Sequence, residues 1–351
     1  MVDQLFIGHS IGVLGNAATN VAFPLSMVCT SIGLLCGIGG AANFNLCMGR
    51  REPEHAKSYV GSAISMLAIL GVILCVAVQL FLHPMMLLFG ATPDVIDYAC
   101  TYTRITSIGF PFLIVTIGGS NLIRADGSPK FSMLCNLVGA IVNTILDPLF
   151  IFGFGWGIRG AAIATVLAQI LALVWQFRIF SDRNELLHFR RGIYRLKGKI
   201  VRNVLAIGMS PFLMNLAACF IVILINKGLK EYGGDLNIGA YGIVNRLGFF
   251  FVMIVMGINQ GMQPIAGYNY GARQFDRVDR VLKLTIIGAT CVTTLGFLIG
   301  ELAPRLAVSV FTDDPELVRL SAEGMRIVFF CFPIIGFQMV TTNFFQSIGM
   351  A

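Results

Sequence analysis

Nine stretches of the chain are each long and apolar enough to cross a lipid bilayer, and this constrains the fold before any motif does. They run at about 16–47, 57–82, 93–120, 130–153, 160–180, 200–229, 238–268, 278–302 and 315–346, with a short apolar stub at 2–8 ahead of them. A hydrocarbon core of about 30 Å calls for about 20 residues of helix. Inside it each backbone N–H and C=O must find its partner within the segment or in a closed barrel. Composition agrees: 56% of the 351 residues are apolar and only 12% are charged, about half the 25% usual in a soluble domain. A water-soluble globule is excluded, and an all-α polytopic membrane protein is expected.

Between the runs lie polar segments such as GRREPEH, RADGSPK, YNYGARQFDR and FTDDPE, which read as loops. The net charge of +7 is not a nucleic-acid footprint, because the basic residues sit in short clusters between apolar runs. If alternate loops share a side, one set holds 17 of the 25 basic residues: Arg50, Arg51 and Lys57, Arg124 and Lys130, the eight from Arg178 to Arg202, and Arg273, Arg277, Arg280 and Lys283. The positive-inside rule makes that set cytoplasmic. The segment 181–199 then joins an N-lobe (1–180) to a C-lobe (200–351) on the cytoplasmic side. Nine cysteines occur singly, with no CxxC and no metal-ligand spacing, so they read as small buried hydrophobes. The opening MVDQLFIGHS has neither a basic region nor a small-residue cleavage site and is not read as a signal peptide.

A shift of 222 residues superposes the punctuation of the two halves without gaps. Gly49 meets Gly271, Arg51 meets Arg273, Phe89 meets Phe311, Pro93 meets Pro315, Arg104 meets Arg326, Pro111 meets Pro333, Asn121 meets Asn343, and Gly127 meets Gly349. A repeat unit with an even number of helices keeps its orientation in the membrane, so these are parallel repeats. Two six-helix bundles are expected. Residues 130–180 would map beyond Ala351, and the helix at 200–229 would map back to before Met1. The expectation is therefore of an incomplete twelve-helix arrangement, short of most of helix 1 and of helices 11 and 12, with a ten-helix protein as the alternative.

Charge within a span is the chemical feature to follow, since an ionised Asp at the bilayer centre costs about 2.5–3.5 kcal/mol. Asp147 lies in GAIVNTILDPLFIFGFGWG, with Asn143 one helical turn before it on the same face. Pro148 removes a backbone donor and loosens the ladder near residue 144. Thr165, in GIRGAAIATVLAQ, adds a hydroxyl on a small-residue face. Asp3, in the stub, is a second candidate carboxylate. Carboxylate, amide and hydroxyl oxygens together suit Na⁺, or a proton if burial raises an Asp pKa. The alternative is that Asn143 and Asp147 only satisfy backbone groups at the Pro148 kink, and that Asp3 is a solvated terminal residue. Arg246 and its neighbour Asn245 stand well inside their run, and with Gln260 they are candidates for a substrate pathway; Arg246 could equally reach out to the interface. The 15 Met and 28 Phe could line an adaptable cavity, although packing is the commoner role of any one of them.

Enzyme signatures fail on context. Gly37, Gly39 and Ala42 fit GxGxxA, but they lie inside a membrane run with no strand before them. There is no P-loop, HExxH or GxSxG, which excludes an ATP-driven pump or a hydrolase of those kinds.

RADGSPKFSM, NTILDPLFIFGFGWGIRGAAIATVLAQ and the half-repeat GINQGMQPIAGYNYGA together resemble the multidrug and toxic compound extrusion (MATE) transporters, and the resemblance covers essentially the whole chain. It implies a V-shaped fold of twelve helices in two lobes. It also implies export of amphipathic or cationic small molecules across the bacterial cytoplasmic membrane in exchange for Na⁺ or H⁺, by a monomer without cofactor, enzymatic activity or nucleic-acid partner. By the same resemblance VDQLFIGH matches the family's helix 1, and Asp3, Asn143, Asp147 and Thr165 match the cation site of its sodium-binding members. Asp3 has as its second-half counterpart about Asn226, a neutral residue, so coupling is expected in the first lobe. Two alternatives remain at this stage. A lipid-linked glycan flippase would want a more cationic cavity. An integral-membrane transferase would want a second acidic cluster, for which Asp313 and Asp314 lie on the wrong loop.

Overall fold

The computed structural model describes residues 6–7, 13–181, 194–311 and 314–350, and nearly all of them are helical. Eleven α-helices follow in order: α1 (Val13–Gly49), α2 (Pro53–Leu80), α3 (Leu82–Leu88), α4 (Ile96–Ala125), α5 (Pro129–Pro148), α6 (Gly157–Ser181), α7 (Gly198–Gly271), α8 (Phe275–Leu302), α9 (Pro304–Ser309), α10 (Pro315–Phe329) and α11 (Phe332–Ser347). A single π turn, Leu149–Gly153, continues α5. Among the described residues eight stretches are long and apolar enough to span a membrane, and a ninth if α10 and α11 count as one span bent by 50°. This is the polytopic all-α protein that the hydropathy predicts.

Two details differ from the run-by-run reading. The runs at 200–229 and 238–268 are joined without a break in α7, where Gly198–Ala218 and Gly239–Gly271 are separate candidate spans. No proline occurs between Pro211 and Pro264 to interrupt the backbone ladder. The run at 315–346 is broken at Phe330–Cys331. There the rings of Phe329 and Phe332 stack with centroids 4.1 Å apart, and Phe251 stands edge-on to both. Gly296 and Gly300 leave room for these rings, because a Cβ at either would come within about 3.2 Å of them.

The chain forms two compact units. The first comprises Met1–Asn45 and Glu52–Leu216, the second Leu46–Arg51 and Ala217–Ala351. The first therefore extends past 181–199, where the sequence division falls. In its core Leu25, Cys29, Leu67, Met86 and Ile114 pack with Val204 from the start of α7. Gly39 and Gly208 let α1 and α7 touch through their backbones: a Cβ on Gly39 would overlap the carbonyl of Val204, and one on Gly208 that of Leu35. Asn43 Nδ2 donates to the carbonyl of Gly39 at 2.8 Å, and Asn203 Nδ2 to Tyr59 Oη at 2.8 Å. In the second unit Val244, Phe251, Val308, Met325, Phe329 and Phe332 form one cluster, and Val255, Met262, Ala266, Ala289 and Val340 another. The described cysteines are all free, and Cys29, Cys36, Cys47 and Cys135 are buried as small apolar side chains.

The backbone carries the repeat. The ends of α2 and α8 are 222 residues apart, as are those of α1 and α7 and of α4 and α11. Arg51 and Arg273, also 222 apart, are the two non-glycine residues with positive φ among the described residues, at 62° and 58°; Gly127 and Gly349 form a similar pair at 89° and 81°. A reciprocal contact lies within the second unit. A Cβ on Gly49 would overlap the carbonyl of Tyr268, and one on Gly271 the carbonyl of Leu46, and these two relations exchange under the same shift.

The left-handed conformation costs a residue with a Cβ about 1–2 kcal/mol, and glycine adopts it freely. Arg51→Gly and Arg273→Gly are each expected to raise stability by about 1 kcal/mol, read as a higher thermal midpoint in detergent. Arg50→Gly, one residue away and without the positive φ, should show no such gain.

Candidate functional site

Asp147 occupies the last turn of α5 and is fully buried, at 0% exposure. Asn143, one turn earlier, donates from Nδ2 to Asp147 Oδ1 at 3.2 Å, so the shared face read from their spacing is present. Pro148 follows directly, and the ladder widens into the π turn Leu149–Gly153, a distortion that occurs frequently at functional sites. On α6, Thr165 donates to the carbonyl of Ala161 at 2.9 Å. That leaves its oxygen lone pairs for another partner.

Asn143 and Thr165 line the same cavity, of about 250 Å³, between α4, α5 and α6. Its other polar walls are Thr116, Asn136 and Gln169, and its apolar walls include Gly139, Ala140 and Ala168. Among the described residues no Lys, Arg, Asp or Glu lines the cavity. Thr116 Oγ1 and Gln169 Oε1 are buried without a hydrogen-bond partner among the described residues. Unmade hydrogen bonds of this kind cost about 1–3 kcal/mol each. Nearby, the fully buried Gln176 donates from Nε2 to the carbonyl of Thr116 and to Ser120 Oγ, both at 2.9 Å, and Ser120 Oγ donates to Asn136 Oδ1 at 3.4 Å. This network holds three helices in register around the cavity.

Sequence reasoning alone does not single out Thr116, Asn136 or Gln169. The signal for two of them is spacing: Asn136 stands seven residues before Asn143 and Gln169 four after Thr165, each on the same helical face. Asp3 lies outside the described residues. Phe6 and Ile7 of the same stub are described: Ile7 is fully buried in a cluster with Ile151 of the π turn and Ala161 of α6, and the ring of Phe6 stands edge-on to Phe152 at 6.2 Å. Phe6 and Ile7 therefore pack against the segment that follows Asp147 and the turn of α6 that precedes Thr165. The side chain of Asn226 lies outside the described side chains.

Among the described residues no group of three His, Cys, Asp or Glu comes together. Among the described residues the candidate ligands are one carboxylate with amide, hydroxyl and carbonyl oxygens, a set that fits a hard alkali ion and not a transition metal. The cavity wall combines Thr116 Oγ1 and Gln169 Oε1, which have no hydrogen-bond partner among the described residues, with Asn143, which bonds the buried Asp147. In the second unit Asn245, Arg246 and Gln260 all lie on an exposed side of α7, away from the packed Val244, Phe251 and Val255. Asp314 has a structural role: its Oδ1 accepts from the backbone N–H groups of Glu316 and Leu317, capping α10. Asp313 lies outside the described residues.

The sequence profile of the MatE family matches residues 1–149 and 207–351. The multidrug export protein MepA of Staphylococcus haemolyticus (strain JCSC1435) is 27% identical over 347 residues, 97% of this chain and 76% of its own length. MepA of Staphylococcus aureus (strain MSSA476) is 24% identical over 333 residues, 95% of this chain and 73% of its own. Among solved structures, the MATE multidrug transporter DinF-BH in complex with the dye rhodamine 6G is 35% identical, with a TM-score of 0.89 over 99% of this chain and 78% of that one. A MATE crystal structure in a bent conformation, 20% identical, superposes with a TM-score of 0.93 and shares the fold.

Proposed function

This chain belongs to the MatE family of transporters, and on that premise we propose that it exports drug-like small molecules across the bacterial cytoplasmic membrane in exchange for Na⁺ or H⁺. The family and the names of its relatives support multidrug export. The coupling is supported by one observation: a fully buried Asp147 is bonded by Asn143, and Asn143 in turn lines a cavity with polar walls. A carboxylate in that setting is stable as the protonated acid or beside a small cation, and costly as a bare anion. Asp3 completes the set as a second carboxylate on the stub.

Exchange follows if ion and drug favour different conformations, because a ligand shifts an equilibrium only by its differential affinity for the two states. When the ion occupies Asp147, Asn143 and Thr165, the oxygens that line the α4–α5–α6 cavity are drawn to it. When it leaves, the same amides and hydroxyls face the cavity and can hydrogen-bond a polar group on a drug. Asn245, Arg246 and Gln260, on an exposed side of α7 with Phe249, Phe250 and Met253, are the second-unit residues we assign to the substrate pathway. A glycan flippase is disfavoured by the cavity itself, where no described wall residue is a cation that could receive a pyrophosphate.

The test is export of rhodamine 6G from proteoliposomes under an imposed Na⁺ gradient, an imposed pH gradient, or neither. We expect export to accelerate about tenfold under one gradient, a factor equal to about 1.4 kcal/mol off the activation free energy. Equal rates under all three conditions would remove the coupling. Rates equal to those of protein-free vesicles would remove the export.

A further inference from the structure

A second cavity, of about 320 Å³, lies in the second unit where α8 ends and the short α9 turns into α10. Three guanidinium side chains line it: Arg305 from α9, and Arg319 and Arg326 from α10, with Glu323 as the one acid. Among the described residues the ion pairs are Glu52–His55, Glu54–Lys57 and Asp279–Lys283, so none of the three arginines is neutralised by a carboxylate. The lining thus holds three positive charges against one negative charge, without internal pairing.

The fold does not require this cluster. Under the 222-residue shift Arg305, Arg319, Glu323 and Arg326 correspond to His83, Asp97, Thr101 and Arg104. The first repeat builds the same helix end, short helix and returning helix with one acid and one arginine at those positions. The cavity's surroundings point to a membrane-borne partner. Leu302, Leu306, Val310 and Ile327 around it are all at least 74% exposed, from the end of one candidate span, at Leu302, into the bent pair of helices that forms the next. Arg319, Glu323 and Arg326 recur at turn spacing on α10, and this places the charge on one face of a helix whose Met325 and Phe329 are buried.

We propose that this cavity binds the phosphate of an anionic phospholipid, with the guanidinium groups of Arg305, Arg319 and Arg326 around the phosphate and the acyl chains along the Leu302–Leu306–Val310 ridge. Guanidinium forks match phosphate oxygens in bidentate geometry, and a cluster of basic side chains at a membrane surface selects anionic lipid. The site is remote in sequence from the Asp147 cavity and does not depend on the transport reading.

The full chain, purified in a mixed micelle of phosphatidylglycerol and phosphatidylcholine, should retain phosphatidylglycerol in native mass spectrometry in at least about threefold excess. Arg319→Gln with Arg326→Gln should abolish the excess, whereas Arg273→Gln with Arg277→Gln, on a basic loop elsewhere, should keep it. Equal retention of the two lipids, or an excess that survives in the Arg319/Arg326 variant, would overturn the proposal. Millimolar inorganic phosphate is the second arm: raising the thermal midpoint where phosphatidylglycerol does not would assign the site to a free anion and overturn the lipid. Should the double variant fail to fold, a headgroup-photoreactive phosphatidylglycerol on the unaltered chain decides. Crosslinks within 302–326 support the site, and crosslinks confined to other segments overturn it.

Discussion

Asp147→Asn is expected to reach the membrane in normal amount, melt at the same temperature or higher, and lose its gradient-driven export by about tenfold or more. The substitution keeps shape and one oxygen. Asn143 Nδ2 still finds an acceptor in place of Asp147 Oδ1, so the contact now at 3.2 Å survives. What disappears is the charge. A neutral amide avoids part of the about 2.5–3.5 kcal/mol that a carboxylate costs at the centre of a helix crossing the bilayer, Asp147 lying toward one end of the span Pro129–Gly153, and it can neither take up a proton nor neutralise a cation. Stability and coupling therefore move in opposite directions. That separates this reading from the purely structural one, in which Asp147 only satisfies backbone groups at the Pro148 kink and its loss lowers the melting temperature while export persists. Thermal melts and rhodamine 6G export measured on the same preparation decide between the two. Export that still follows the ion gradient in the variant would take Asp147 out of the mechanism.

Gly208→Ala is expected to destabilise the first unit by about 3 kcal/mol, enough to leave little monodisperse protein after detergent extraction. In an ordinary helix interior the same change helps by about 1 kcal/mol. Here the added methyl would overlap the carbonyl of Leu35, and a backbone oxygen cannot swing aside as a side chain can. The overlap exceeds the propensity gain, and the sign reverses. Gly39→Ala meets the carbonyl of Val204 in the same crossing and should behave alike, the two effects being less than additive because either one separates α1 from α7. Gly257, in the same long helix with nothing within 4 Å of its virtual Cβ, serves as the control. Gly257→Ala should extract and elute as the unaltered chain does, and an equal loss there would show that glycine matters in α7 for its flexibility and not for the close approach.

The sequence is most readable where lipid imposes a local rule. Each span must be apolar over its own length, so its existence can be seen without knowing its neighbours. The positions that interrupt apolarity, Gly49, Arg51, Gly127 and their partners at 271, 273 and 349, carry the repeat. Continuity is less readable. Lys230 and Glu231 interrupt the apolar pattern as a loop would, but both are ordinary helix formers, and α7 runs through them. The bend at Phe330–Cys331 follows from ring packing with Phe251, a contact about 80 residues away in the chain. At the site, Asp147 stands out because charge inside a span is rare, and Asn143 follows from it by spacing. Thr116, Asn136 and Gln169 are uncharged, so nothing about them as single residues separates a cavity wall from a helix contact. Their meeting depends on how α4, α5 and α6 pack, which no one segment encodes.

The Gly49–Gly271 crossing has a bearing on ancestry. Because Gly49 faces Tyr268 while Gly271 faces Leu46, the contact is self-complementary in the manner of a two-fold homodimer interface. Two separate copies of one half-length polypeptide could have met through this same helix end before a single gene encoded both. Fusion would then have preserved an association that already existed, and the same close approach of backbones demands a glycine at each of the two positions.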